Sequence, residues 1–150
     1  MPTQADFQQT IDEIQSATQQ FCNGDPNPIK ALWSHTDDAT IMGGWGSHEK
    51  TWDQVGPRLE WASARFIEGQ ASFEILALGN DGDLGYTIWI EKYNARVQGT
   101  DTVRPLALRV TQIYRREGDA WKIIHRHADA TMERLDKTTT MDRPFLRQRS

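Results

Sequence analysis

The second half of the chain consists of four long strand-like segments, and this feature restricts the possible folds most. They lie at residues 69–79, 84–98, 102–117 and 120–131. All four are rich in β-branched and aromatic residues, and short stretches of glycine, asparagine and aspartate separate them. Those stretches have the composition of hairpin turns, so consecutive segments should pair with each other. The sequence therefore predicts a sheet of long antiparallel strands.

The first half of the chain is mainly helical in pattern. Apolar residues recur at three- and four-residue steps over 3–22 and again over 48–66, where Gly56-Pro57 could introduce a kink. Between them we expect a short helix ending near Ser34 and a short strand at 39–42. Helices followed by a run of strands predict an α+β fold.

Composition narrows the class of protein. A chain of 150 residues suits one domain, and its formal net charge of −4 disfavours a general nucleic-acid binder. No apolar stretch is long enough to cross a membrane, and the first residues do not have the pattern of a signal peptide. Cys22 is the single cysteine, which fits a reducing compartment. We therefore expect a cytoplasmic protein without nucleic-acid or membrane partners.

Two strings carry a resemblance to a known family. Residues 32–40, LWSHTDDAT, resemble the helix-to-strand connection of the SnoaL-like branch of the nuclear transport factor 2-like superfamily. Residues 108–116, LRVTQIYRR, followed by 118–127, GDAWKIIHRH, resemble its closing hairpin. The hairpin is also similar to one in the association domain of calcium/calmodulin-dependent kinase II. The resemblance covers roughly residues 5 to 131.

The resemblance implies an architecture and a kind of partner. It implies a cone-shaped domain over 1–135, in which a curved antiparallel sheet wraps around the N-terminal helices, followed by a polar tail at 136–150. It further implies a pocket for a small organic ligand at the open end of the cone and a homodimer packed through the sheet. The superfamily includes ketosteroid isomerase-type enzymes, cyclases, dehydratases and proteins without a known reaction, so kinship does not specify the chemistry. The aspartate pairs expected of a steroid isomerase or an epoxide hydrolase are missing.

Alternation along the strand that begins at Gly85 marks one face as a pocket wall. Trp89, Glu91 and Tyr93 share that face and combine two aromatic rings with a carboxylate. On the next strand Arg109 lies between apolar residues, and an arginine in such a position needs a partner. We expect Arg109 to point into the cone and pair with Glu91 or an anionic ligand, as the resemblance to the kinase association domain also implies. The alternative is an arginine at a dimer interface.

The last strand carries two histidines. Strict alternation places His125, His127 and Asp129 on the same face as Trp121 and Ile123. We expect His125 to be structural, and His127, nearer the open end, to act as a general acid or base with Asp129 beside it. The alternative is that both histidines are structural.

Two further features bear on the site. His125 and His127 form a His-x-His pair such as cupins use for metals, but no further ligands follow with cupin spacing, so we expect no metal and no cofactor. Trp45 lies among glycines in a loop, where it could close the mouth of the cone over a ligand or fold onto the third helix.

These residues favour cofactor-independent proton-transfer chemistry of the isomerase, dehydratase or cyclase type. In that scheme His127 or Glu91 moves the proton and Arg109 stabilises negative charge. Trp45, Trp89, Tyr93 and Asp129 would contact the substrate. The alternative is a non-catalytic module for ligand binding or oligomerisation, which is favoured if Glu91 and Arg109 are locked together in a fully satisfied ion pair that leaves His127 as the only free base.

Overall fold

The computed structural model describes residues 4–130, so the predicted tail at 136–150 lies outside the described residues. Helices come first and long strands follow, which confirms the α+β prediction. The elements are α1 Gln4–Phe21, α2 Asn27–Ala31, β1 Thr40–Met42, β2 Glu49–Lys50, α3 Trp52–Ser63, β3 Phe66–Asp81, β4 Leu84–Val97, β5 Arg104–Glu117 and β6 Ala120–Ala130.

The six strands form one open sheet in the order β2-β1-β6-β5-β4-β3. The four long strands are antiparallel, as predicted from their hairpin turns, and two-residue turns join β3 to β4 and β5 to β6. The sheet as a whole is mixed, because β1 pairs with β6 in parallel, with Thr40 beside His125. An isolated short strand gives no sequence signal for the direction in which it will pair, so this one parallel pairing was not predicted.

The helices fill the inside of the cone. Phe7 of α1 packs edge-on against Tyr114 and Trp121, with ring centroids 5.5 and 5.1 Å apart, and all three side chains are buried. Gly85 makes room for this contact, since a Cβ at that position would lie 2.5 Å from the Phe7 ring. The inner face of the sheet therefore provides one wall of the core and α1 the other.

Both ends of the third helix differ from the prediction, and α2 ends at Ala31, before the predicted end near Ser34. The third helix begins at Trp52 and ends at Ser63, because Glu49–Lys50 pairs with β1 as a strand and Phe66 already belongs to β3. Pro57 does not break α3.

No helix within residues 4–130 is both long and apolar enough to cross a membrane.

Candidate functional site

The inner face of β4 carries the residues predicted for a pocket wall. Thr87, Trp89, Glu91 and Tyr93 are buried, and the residues between them are at least partly exposed. The prediction that these residues share one inward face is confirmed, because β4 has no irregularity in its pairing with β5 and its alternation holds from end to end. Of the three residues predicted for the pocket wall, Tyr93 lines the cavity described below, and Trp89 and Glu91 are not among its lining residues.

The prediction for the last strand is wrong because β6 contains a bulge. Ile113 pairs with His125 and Tyr114 pairs with Ile123, so Ile124 is an extra residue without a partner on β5. A bulge of one residue exchanges the two faces of a strand beyond it. Trp121 and Ile123 point inward as expected, but His125, His127 and Asp129 pair with outward residues of β5, and Arg126 takes the inward position opposite Gln112.

Arg126 is the partner of Glu91, a role that we had predicted for Arg109. Its Nη1 and Nη2 donate to the two carboxylate oxygens of Glu91 at 2.7 and 2.9 Å. Trp89 Nε1 donates to Glu91 Oε2 at 2.9 Å, and the Tyr93 hydroxyl donates to Oε1. Four donors therefore converge on one fully buried carboxylate, which can accept about four hydrogen bonds in all.

This geometry keeps Glu91 ionised. Burial by itself would raise the pKa of Glu91, but the charge of Arg126 and its hydrogen bonds, with those of Tyr93 and Trp89, hold the pKa below its ordinary value. The pKa of Tyr93 is raised, first by burial and then by the neighbouring Glu91 charge. The buried group is thus an ion pair at neutral pH, with the tyrosine as a neutral donor.

A chain of hydrogen bonds extends this pair across the sheet. Arg126 Nη1 also donates to Gln112 Oε1 at 3.0 Å, and Gln112 Nε2 donates to the Tyr114 hydroxyl at 2.6 Å. Tyr114 and Thr87 share a further hydrogen bond of 2.7 Å between their hydroxyls. The network crosses β4, β5 and β6, so a change at one member should be felt by the others.

A small cavity, here called the cone cavity, lies beside Arg126. Its volume is about 30 Å³, enough for about two water molecules. Its wall combines apolar and polar side chains, namely Thr18, Phe21, Ile29, Trp33, Leu59, Tyr93, Gln112 and Arg126. Trp33 is buried, and its Nε1 has no hydrogen-bond partner among the described residues. A buried donor without an acceptor costs about 1–3 kcal/mol.

Arg109 lies on the outer face, so the prediction that it points into the cone is wrong. It forms a bidentate pair with Asp129, with Nε–Oδ1 and Nη2–Oδ2 distances of 2.7 and 2.9 Å. The hydrogen bond to Arg109 lowers the pKa of Asp129. His127 is exposed on the same face, and the structure therefore separates it and Arg109 from Glu91 by the thickness of the sheet.

The outer face is also unusually apolar for an exposed surface. Large apolar side chains there leave a substantial part of their area exposed, among them Met42, Leu76, Tyr86, Ile88 and Ile113. The pairing register aligns several outward residues in one row across five strands: Met42, His127, Thr111, Ile88 and Ala77.

Trp45 is 45% exposed and takes part in an aromatic cluster at one end of the cone. Its ring lies 5.5 Å from that of Trp61 in α3 and 5.3 Å from that of Phe66, and Phe66 in turn lies 5.7 Å from Tyr93. Trp45 thus packs on the third helix, which was one of the two alternatives, and one ring separates it from Tyr93 of the cavity wall.

The other candidate groups do not add chemistry. Residues 4–130 contain no cluster of three or more histidine, cysteine, aspartate and glutamate side chains that could hold a metal ion. Burial raises the pKa of the Cys22 thiol to about 11, so it is not a nucleophile at neutral pH.

Three residues of the site were missed by the sequence analysis, namely Arg126, Gln112 and Trp33. For Gln112 a signal existed, since it alternates with Leu108, Val110 and Tyr114 on a face that is otherwise apolar.

Known proteins match this chain at the level of the family and the fold. The family described as the SnoaL-like domain matches residues 11–133. No curated protein matches the sequence.

Solved structures with the same fold carry different functional names. One is a candidate calcium/calmodulin-dependent protein kinase type II association domain from Thiobacillus denitrificans, with a TM-score of 0.70, 17% identity, and coverage of 88% of this chain and 98% of that one. Another is a ketosteroid isomerase-like protein from Erwinia carotovora, with a TM-score of 0.70, 14% identity, and coverage of 86% and 96%. A third is an NTF2-like protein of unknown function from Pseudomonas putida, with a TM-score of 0.66, 25% identity, and coverage of 89% and 91%.

The match to the family spans most of the chain, and the open sheet around N-terminal helices agrees with it. The chain therefore belongs to the SnoaL-like domain family.

Proposed function

We propose that this protein binds a small organic molecule in the cone cavity and does not transform it. The observation that carries this proposal is the state of Glu91, whose two oxygens already accept from Arg126, Trp89 and Tyr93. A general base needs a free lone pair within reach of the proton that it removes. Glu91 could take a proton only by giving up part of its ion pair, and His127, the other predicted base, lies on the opposite face of the sheet.

The wall of the cone cavity supports binding. Ligand sites are concave and mostly apolar, with a few polar groups that fix orientation, and this wall has that composition. Phe21 in this wall is only half-buried, and outward rotation of its ring would admit a molecule larger than two waters.

A fragment screen with a cavity-filling variant tests the proposal. Leu59→Phe adds volume inside the cone cavity, whereas Leu84→Phe makes the same change at an exposed position on β4. We expect fragments that raise the Tm of the wild type to raise that of Leu84→Phe equally and to have little effect on Leu59→Phe.

Two results would contradict the proposal. Equal Tm shifts in all three proteins would place the ligand outside the cone cavity. Each fragment is also incubated with the wild type and followed by NMR. Chemical conversion of a bound fragment would show that the protein is an enzyme, which is what the names of the isomerase-like and dehydratase neighbours suggest for those proteins.

We also propose that the outer face of the sheet packs against a second copy of the chain. Exposed Tyr86, Ile88 and Ile113 lie on adjacent strands of that face, and contiguous apolar area of this kind marks interaction sites. A two-fold axis would bring each patch onto its copy.

Sedimentation velocity tests the dimer. Ile88→Lys should convert it to a monomer with an unchanged circular dichroism spectrum, because the lysine places a charge at the centre of the patch. Val103→Lys is the matched control, since Val103 is also an exposed apolar residue but lies in the loop between β4 and β5. A wild type that sediments as a monomer, or an Ile88→Lys protein that remains a dimer, would contradict the proposal.

A further inference from the structure

The position of Trp33 in the cavity wall is fixed by its neighbours along the chain. Ser34 N donates to Ile123 O at 2.9 Å and Ile123 N donates to Leu32 O at 2.9 Å, so the backbone on both sides of Trp33 is attached to β6. The indole is 1% exposed, and its N–H meets no acceptor in the part of the chain that the structure describes. An indole N–H can only donate, so whatever satisfies it must be an acceptor.

Other polar side chains of the wall also carry N–H groups beyond those used in the hydrogen bonds described above. Arg126 uses three N–H groups for Glu91 and Gln112, and a guanidinium has five. The amide oxygen of Gln112 already accepts from Arg126, and the Tyr93 hydroxyl proton is committed to Glu91. Thr18, the remaining polar side chain of the wall, donates its hydroxyl proton to Ile14 O at 2.8 Å. The hydroxyl protons of this wall are therefore used inside the protein and the donors that remain are N–H groups, so the wall favours a ligand that accepts.

The charge of the wall decides between an anionic and an uncharged acceptor. Arg126 is the only charged residue among the eight that line the cavity, and Glu91 directly behind it already neutralises that charge. A carboxylate ligand would bring a second negative charge close to Glu91 with no second cation in the wall to balance it. Burial of an unbalanced charge is far more costly than burial of a neutral carbonyl that receives hydrogen bonds.

We infer that the cone cavity takes an uncharged carbonyl compound, whose oxygen accepts from the indole N–H of Trp33 and from Arg126. The remainder of the molecule is apolar and packs against Phe21, Ile29 and Leu59. This inference rests on the proposed binding function and specifies the chemical class of the ligand.

Two pairs of isosteric probes separate charge from shape. Butanone and propionate have the same number of heavy atoms, as do acetophenone and benzoate, and within each pair only the carboxylate is charged. The readout is the indole signal of Trp33 in a proton–nitrogen correlation spectrum of the wild type, assigned by its loss in Trp33→Phe. The indole signal of Trp52, which stacks on His35 outside the cavity, is the internal control.

We expect titration with a ketone to shift the Trp33 indole proton downfield in a saturable manner and to leave the Trp52 signal unchanged. The ketone should bind at least about tenfold more tightly than its isosteric carboxylate, because only the carboxylate adds an unbalanced charge. In Trp33→Phe, which lacks the N–H, ketone affinity should fall by about fivefold or more, as expected for the loss of one buried hydrogen bond.

The possible failures are distinguishable. A carboxylate that binds more tightly than its ketone and shifts the Trp33 signal would overturn the ligand class while preserving the binding function. Ketone binding that leaves the Trp33 signal unchanged and is equally strong in Trp33→Phe would overturn the role of Trp33. No saturable shift with any of the four probes, together with fragment hits that are insensitive to Leu59→Phe, would overturn the proposed function itself.

Discussion

The two faces of the sheet each carry a bidentate arginine–carboxylate pair, and the two pairs have the same N–O distances. Both Arg126–Glu91 and Arg109–Asp129 have N–O distances of 2.7 and 2.9 Å. Their surroundings differ, because the side chains of the inner pair are 16% and 0% exposed and those of the outer pair are 54% and 43% exposed. Distance alone therefore says little about what a pair contributes.

Access of water explains why the two pairs should contribute differently to stability. Water can solvate each member of the outer pair if the other is removed, so that pair adds little to the stability of the folded chain. In the inner pair neither partner has that alternative, and Trp89 and Tyr93 are oriented toward the carboxylate as well. Removal of one partner of the inner pair therefore destabilises the fold strongly. Replacement of both partners by apolar residues of similar volume is a different change and is often neutral.

The largest effect is expected from Glu91→Gln, which preserves shape and removes the negative charge. Arg126 would then be a buried cation without a counterion, and we expect the free energy of unfolding to fall by about 3–5 kcal/mol. Urea denaturation monitored by tryptophan fluorescence measures this change. A loss below about 1 kcal/mol would show that the inner pair behaves like an exposed one.

The control for this prediction is the pH dependence of the difference in unfolding free energy between the wild type and Glu91→Gln. Glu91 has a pKa below its ordinary value of 4.5 in the folded chain, so its contribution to stability is complete above about pH 4.5 and is lost as the pH falls through the folded-state pKa. The gap between wild type and Glu91→Gln should stay constant from about pH 8 to about pH 5 and narrow at lower pH. A gap that widened in acid would contradict the assignment of the effect to Glu91.

The smallest effect is expected from Asp129→Asn, which makes the same chemical change in the outer pair. In the Ile88→Lys background, where self-association does not contribute, we expect Tm to change by less than about 2 °C, because Arg109 remains solvated. Differential scanning calorimetry measures both proteins. A shift comparable to that of Glu91→Gln would remove the distinction between the two faces.

The inner half of the site on β4 was predictable from sequence, and the half on β6 was not. In β4 the alternation of Thr87, Trp89, Glu91 and Tyr93 with exposed residues is uninterrupted, and it identifies the buried face correctly. In β5 alternation marks Val110 and Tyr114 as core residues. Arg109 was assigned inward from its position between apolar residues, with the resemblance to the kinase association domain in support, and the register shows that this assignment is wrong.

In β6 the alternation itself misleads. Nothing in the string Ile123-Ile124-His125 indicates that one residue is extra, because a bulge is set by the tertiary pairing of two strands and has no strong local signature. The three helices and five of the six strands follow from local patterns and were predicted to within a few residues, whereas β2 was assigned to the third helix. The partner of Glu91 depends on a register that only the assembled sheet defines.

The unpaired Ile124 also determines which chemistry the cone contains. If β6 paired with β5 residue by residue from Ile123 onward, Ile124 would take the place of His125 opposite Ile113, and Arg126 would move to the outer face. His125, His127 and Asp129 would then turn toward Glu91, a carboxylate that had lost its guanidinium. A one-residue slip of this strand thus separates a cavity that holds a locked ion pair from one lined by titratable groups, which is a physical route from binding to catalysis within one fold.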